Sequence, residues 1–210
     1  MLIDISPPIA STLAVYPGDV AFMKTTDTSI EAGDPATTSH FTTTSHLGAH
    51  VDAERHYVQG GRGVDEWPLD RFVGPCEVLR VEVGCGELIL PTQVQETRTP
   101  RVLFRTGSYG DPETFTSDFA GIHPDTIDML AARGCVLIGI DTPSVDRFRD
   151  TELPTHNRIA KHGMTILEGL QLTHVDPGEY ELIALPLRIE GGDASPVRAV
   201  LRGPPDAIGD

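Results

Sequence analysis

Apolar and polar positions change period several times along the chain, and each change predicts an element. Cys76 to Val83 alternates in the two-residue rhythm of a half-buried strand. Arg101 to Thr106 and Cys135 to Ile140 are short apolar runs of the kind that form buried strands, and Tyr180 to Leu187 is another, with Pro186 near its end. Met164 to Leu170 is an apolar, strand-like run interrupted by Glu168. Pro124 to Arg133 reads as a helix: Pro124 suits its first turn, Asp125 and Asp128 its positive end, and Gly134 its stop. Pro154 to His162 reads the same way, with Gly163 as terminator. Thr37 to His46 reads as a strand that runs into a curved loop. Strands outnumber helices, and no repeat, low-complexity tract or linker divides the chain. The expectation is one sheet-rich, mixed α/β domain over residues 1–210.

Composition narrows the class. Of 210 residues, 22% are charged and 39% hydrophobic, which suits a globular rather than a disordered chain. No apolar run approaches the ~20 residues that span a bilayer, and Met1-Leu2-Ile3-Asp4 lacks the basic and apolar regions of a secretory signal. Cys76, Cys85 and Cys135 are odd in number and scattered, so they read as buried thiols in a reducing cytoplasm. The formal net charge of −15 disfavours nucleic acid and anionic membranes as partners.

The candidate chemistry is concentrated. His46, His50, Asp52 and His56 fall within Ser45-His46-Leu47-Gly48-Ala49-His50-Val51-Asp52-Ala53-Glu54-Arg55-His56. Imidazole and carboxylate are the ligands that Zn²⁺ prefers, and they also suit Mn²⁺ or Fe²⁺. A closed structural zinc site would use thiolates, and this set has none, which leaves a coordination position open for catalysis. All four positions are even-numbered, so an extended chain puts them on one side. A straight strand would still hold His46 and His50 about 13 Å apart, so the chain must bend, and Gly48 lies where a bend costs least. The competing explanation is a polar loop whose histidines have no shared role. His156 on the second helix and Glu168 in its apolar run form a second constellation, able to supply a second metal site bridged by Asp52. A carboxylate in a buried run needs a compensating charge or metal; alternatively Glu168 faces solvent from an edge strand. His162 competes with His156 but sits at the helix end, where an imidazolium is favoured anyway. His40, His123 and His174 are left as structural residues. Ser108 in Gly107-Ser108-Tyr109-Gly110 lacks the Gly-x-Ser-x-Gly pattern of a serine hydrolase.

These residues carry a resemblance. Asp4-Ile5-Ser6-Pro7-Pro8-Ile9, Tyr16-Pro17-Gly18-Asp19, the His-x-x-x-His-x-Asp-x-x-x-His run, Asp141-Thr142-Pro143-Ser144-Val145-Asp146, Ile166-Leu167-Glu168-Gly169-Leu170 and Asp193-Ala194-Ser195-Pro196-Val197-Arg198 are similar, nearly end to end, to the bacterial kynurenine formamidases (arylformamidases) of the metal-dependent cyclase family. The resemblance implies a swivelling β/β/α fold, a homodimer, and metal-dependent hydrolysis of N-formyl-L-kynurenine to L-kynurenine and formate. It implies one metal held by His46, His50 and Asp52 and a second by Asp52, His156 and Glu168, with Zn²⁺ expected and Mn²⁺ acceptable. His56 would be the catalytic acid/base. Tyr16 would meet the substrate's aryl ring, where the family usually presents tryptophan. Ala49 and Glu54-Arg55 also depart from the family's usual Thr and Pro-Leu. A related hydrolase of a cyclic amide such as isatin is the neighbouring alternative. A metal-binding module without catalysis is the third, against which His56 stands as a residue such a module has no need of.

Overall fold

The computed structural model describes residues 1–203. In chain order the strands are β1 (Leu2–Asp4), β2 (Met23–Thr28), β3 (Thr38–Thr42), β4 (His50–Asp52), β5 (Val73–Arg80), β6 (Leu88–Ile89), β7 (Arg101–Arg105), β8 (Gly121–Ile122), β9 (Leu137–Ile140), β10 (Thr165–Glu168), β11 (Gly178–Ile183), β12 (Ala194–Pro196) and β13 (Val200–Arg202). The helices are α1 (Pro124–Ala132) and α2 (Pro154–Lys161). Nine strands form one mixed sheet in the order β1-β13-β11-β5-β7-β9-β10-β4-β12. Its centre, β5 to β10, is parallel, and antiparallel strands flank it on both sides.

The central strands are apolar on both faces because both are covered. Alternate residues divide between two cores: Leu103, Leu137 and Leu167 go to one, with Val51, Phe72 and Leu182. Val102, Phe104, Ile138, Ile140 and Ile166 go to the other, where Ile127 and Leu130 of α1 and Ile159 of α2 cover the sheet. His123 caps α1, its Nδ1 accepting from Asp125 N at 3.1 Å. His162 ends α2 and its Nε2 pairs with Asp128 at 2.6 Å. No helix among the described residues is long and apolar enough to cross a membrane.

Several expected elements move. The strand expected over Thr37–His46 stops at Thr42 and pairs with β2 in a separate, exposed hairpin. The chain then turns, and His50–Asp52 is itself a strand of the main sheet, where a ligand-bearing loop was expected. Threonine-rich alternation predicts a strand but not which partner it finds. The strand expected over Tyr180–Leu187 starts at Gly178 and ends at Ile183, before Pro186, which has no N–H for the ladder. Cys76 and Cys135 are buried, but Cys85 is exposed; it lies past the end of β5, outside both cores. Glu168 is buried between β4 and α2 and does not face solvent from an edge strand.

Candidate functional site

Sheet register brings the first two constellations together. In the antiparallel pairing of β10 with β4, Glu168 stands opposite His50 and Ile166 opposite Asp52. Opposed residues of an antiparallel pair share a face, so His50, Asp52 and Glu168 project to the same side. That is the side α2 covers, and the first turn of α2 presents His156 there. His46 arrives from the turn before β4. Gly48, at φ +57°, makes that bend, and its backbone abuts Gly169, at φ +67°. A Cβ on Gly169 would lie 2.1 Å from the Gly48 carbonyl oxygen. Two glycines thus let the ligand-bearing turn and the end of β10 touch backbone to backbone.

Asp52 is the centre of the cluster. Its Oδ1 faces His46 Nδ1 at 2.9 Å and His50 Nε2 at 3.4 Å; its Oδ2 faces His156 Nε2 at 3.4 Å. His50 Nε2 also lies 3.4 Å from Glu168 Oε2, and His156 Nε2 3.7 Å from Glu168 Oε1. Both Asp52 oxygens are buried, and among the described residues neither has a partner with hydrogen-bond geometry. Ligands about 2.1 Å from a tetrahedral ion lie roughly 3.4 Å from one another, and three of these five separations match that value. The outward nitrogens support this. His50 Nδ1 donates to the Gly48 carbonyl at 2.9 Å, and His156 Nδ1 donates to Asp146 Oδ2 at 2.7 Å. Each ring is thereby held with Nε2 turned inward, its lone pair available. Glu168 Oε1 accepts from Val145 N at 2.7 Å, which orients that carboxylate too. His46 Nε2 faces Asp193 Oδ2 at 3.2 Å. The donor set fits a divalent cation. By mutual distance within 4.8 Å the donors group as His46, Asp52 and His56 and as His50, Asp52 and Glu168, with Asp52 common to both.

Without a cation the charges compensate one another. Burial alone would lower the His50 and His156 pKa values, but the surrounding carboxylates, Asp52 and Glu168 for His50 and Asp146 and Asp52 for His156, raise both to about 10. Burial opposes ionisation of Asp52 as well, yet His156, His46 and His50 hold its pKa well below the usual carboxylate range. His56 behaves differently. It is exposed at the mouth of the cleft, its ring 4.2 Å from that of His46. Desolvation, aided by the charges of His46 and His156, lowers its pKa below the usual value, so the imidazole is neutral at neutral pH.

The cleft above the cluster is walled by aromatic rings. Tyr16, Phe115 and Tyr109 line it, Tyr16 lying 5.4 Å from Phe115 centroid to centroid, and Phe148 packs against Tyr16 at 5.5 Å from outside the lining. Of the site residues expected from the sequence, His46, His50, His156 and Glu168 line the base of one cleft and His56 and Tyr16 its sides, while Asp52 is buried behind the base, facing His46, His50 and His156. Phe115 in the lining, and Asp146, Asp193 and Phe148 against His156, His46 and Tyr16, were not expected. Asp146 had a signal, since it is the carboxylate ten residues before His156. Asp193 also stands in a quoted motif. The two phenylalanines had no signal, because contact between distant rings leaves no mark on local spacing.

The Cyclase family model matches residues 3–147. The kynurenine formamidase of Bordetella pertussis is 44% identical over 202 residues, 95% of this chain and 96% of its own length, and that of Bordetella bronchiseptica matches equally. Among solved structures, a potential metal-dependent hydrolase with cyclase activity superposes with a TM-score of 0.84 at 29% identity, over 97% of this chain and 99% of its own. Isatin hydrolase A from Labrenzia aggregata superposes at 0.81 and 22% identity, over 96% of this chain and 93% of its own, a likeness of fold.

Proposed function

The chain belongs to the cyclase family, and from that premise we propose that it is an arylformamidase that hydrolyses N-formyl-L-kynurenine to L-kynurenine and formate. The observation that carries this reading is the pair of buried, unpartnered Asp52 oxygens ringed by imidazole nitrogens beneath an aromatic-walled cleft. The names of the Bordetella relatives support the choice of substrate. The isatin alternative has only a fold likeness behind it.

His46, His50, Asp52, His156 and Glu168 would hold the metal, which we read as Zn²⁺, two ions sharing Asp52, with Mn²⁺ acceptable to the same donors. Such an ion supplies Lewis-acid polarisation of a carbonyl and a lowered pKa for water. The protein's residues supply the rest. Tyr16 and Phe115, with Phe148 packed against both, offer aromatic faces to the aryl ring. A neutral His56 ring nitrogen, within 4.8 Å of the donor atoms of His46 and Asp52, takes a proton from the attacking water. As the water oxygen bonds to the formyl carbon and the C–N bond breaks, His56 returns that proton to the departing anilide nitrogen, which is too basic to leave unprotonated. Formate and the free aryl amine result.

We further read the protein as a cytoplasmic homodimer. Its three free cysteines suit a reducing compartment, and the β2–β3 hairpin exposes Met23 and Phe41 by more than half, apolar area suited to a second copy. Sedimentation equilibrium checks the assembly, a single species of one-chain mass being the result against it. The reaction itself is tested on metal-defined protein offered N-formylkynurenine, simple formanilides and isatin. Exhaustive chelation should abolish formamide hydrolysis and Zn²⁺ or Mn²⁺ should restore it. Full activity in protein shown by elemental analysis to be metal-free would sink the mechanism, and turnover of isatin alone would replace the substrate.

A further inference from the structure

Above the histidine cluster the cleft is one-sided in charge. Asp19, Asp141 and Glu168 line it, and among the described residues no lysine or arginine does. A kynurenine-type substrate carries both an ammonium and a carboxylate on the acyl chain beside its formamide. Its carboxylate finds no arginine or lysine in this lining, where the histidines belong to the donor cluster at the base, whereas its ammonium has three carboxylates to choose from. Two of the three are engaged. Asp141 is buried and accepts from Thr106 N, Thr106 Oγ1 and Gly107 N. Glu168 accepts from Val145 N and faces His50 and His156. Asp19 is exposed at the rim, and its carboxylate takes one hydrogen bond among the described residues, from Thr44 Oγ1 to Oδ2 at 3.1 Å. The backbone of Asp19 donates to the Tyr16 carbonyl at 3.0 Å, closing the Tyr16–Asp19 turn and setting the carboxylate on the same short turn as the ring proposed to meet the aryl group. The net charge of −15 adds a field that draws cations and repels anions.

We propose that Asp19 is a specificity-determining residue that binds the ammonium of the substrate's side chain, while the carboxylate stays in solvent. The substrate class is then aryl formamides bearing a cationic amine on the ortho acyl chain, with the carboxylate dispensable. This rests on the arylformamidase reading, and the test separates the two. Four probes suffice: N-formyl-L-kynurenine; N-formylkynurenamine, which lacks the carboxylate; the deaminated acid, which lacks the ammonium; and ortho-acetylformanilide, which has neither charge. We expect kcat/KM for the amine to equal or exceed that for the amino acid, and the deaminated acid to fall about two- to fivefold below both. Asp19→Asn should shrink the ratio of amine to neutral probe about two- to fivefold, which is what an ion pair at an exposed rim supplies. Asp19→Glu should recover part of it, and added salt should shrink it in the parent protein. A ratio taken within one preparation is unaffected by the fraction of folded protein. If the deaminated acid is turned over as well as the amine, or if Asp19→Asn leaves the ratio unchanged, the inference is overturned while the arylformamidase reading stands. If none of the four is hydrolysed, that reading falls and takes this inference with it.

Discussion

Asp52 and His56 lie four residues apart and make opposite demands on a substitution. Asp52 is buried and faces three imidazoles, so Asp52→Ala should lower metal stoichiometry at every site. Glu168 faces only His50 and His156, so Glu168→Ala should empty mainly one site. Elemental analysis of both variants decides it, and equal losses would argue against a bridging Asp52. His56 faces the cleft mouth with a neutral ring. General acid–base catalysis contributes about 10²–10⁴-fold, so His56→Ala should cost that much in kcat while metal content stays near that of the parent. An inactive variant that has also lost its metal would make His56 a ligand, as its place beside His46 and Asp52 allows.

Among the elements, β4 owes its place to two glycines outside it. Gly169 is at φ +67°, and the nearest neighbour of any side chain there is the Gly48 carbonyl oxygen, a backbone atom that also accepts from His50 Nδ1. A methyl group at Gly169 must therefore push the ligand-bearing turn away from β10. Gly169→Ala should destabilise the fold by at least about 2 kcal/mol, from backbone strain and displaced packing together, and should weaken metal binding. Urea unfolding measures the first. A variant as stable as the parent would show that the two backbones separate at little cost. The first turn of α2 is fixed by a comparable device. Asp146 accepts from Thr155 N and His156 N as well as from the His156 ring, so one carboxylate both begins the helix and aims its ligand.

Across the whole molecule, the cluster ties together segments that the cores hold only indirectly: the turn before β4, the end of β10 and the start of α2. A cation bound there binds the folded chain alone, because no unfolded chain gathers these donors. At a hundred times its dissociation constant, such a ligand adds about 2.7 kcal/mol. For a domain of this size that is an expected rise in Tm of about 5–10 °C on adding Zn²⁺ to chelated protein. Scanning calorimetry reads it, and the rise should shrink in Glu168→Ala. An unchanged Tm in the parent would mean that the ion holds nothing together.

The periods of the chain and the spacing of its histidines were enough to place α1, α2 and most of the central strands and to single out the donor residues His50 and Asp52, because these are properties of neighbouring residues. The bend at Gly48 was legible for the same reason: two donors four residues apart lie too far apart on a straight strand to meet at one point. Spacing could not say that His50–Asp52 is itself a strand, that the Thr38–Thr42 strand leaves the main sheet, or that Cys85 is exposed. Nor could it bring Asp146 and Asp193 to the rings they orient, or Phe115 and Phe148 to Tyr16. Those facts depend on strand order and register, and register is chosen by packing among segments far apart in sequence. Glu168 shows the division plainly. Its residue type in an apolar run raised the question of a metal, and only its pairing opposite His50 on a covered face answered where its charge is compensated.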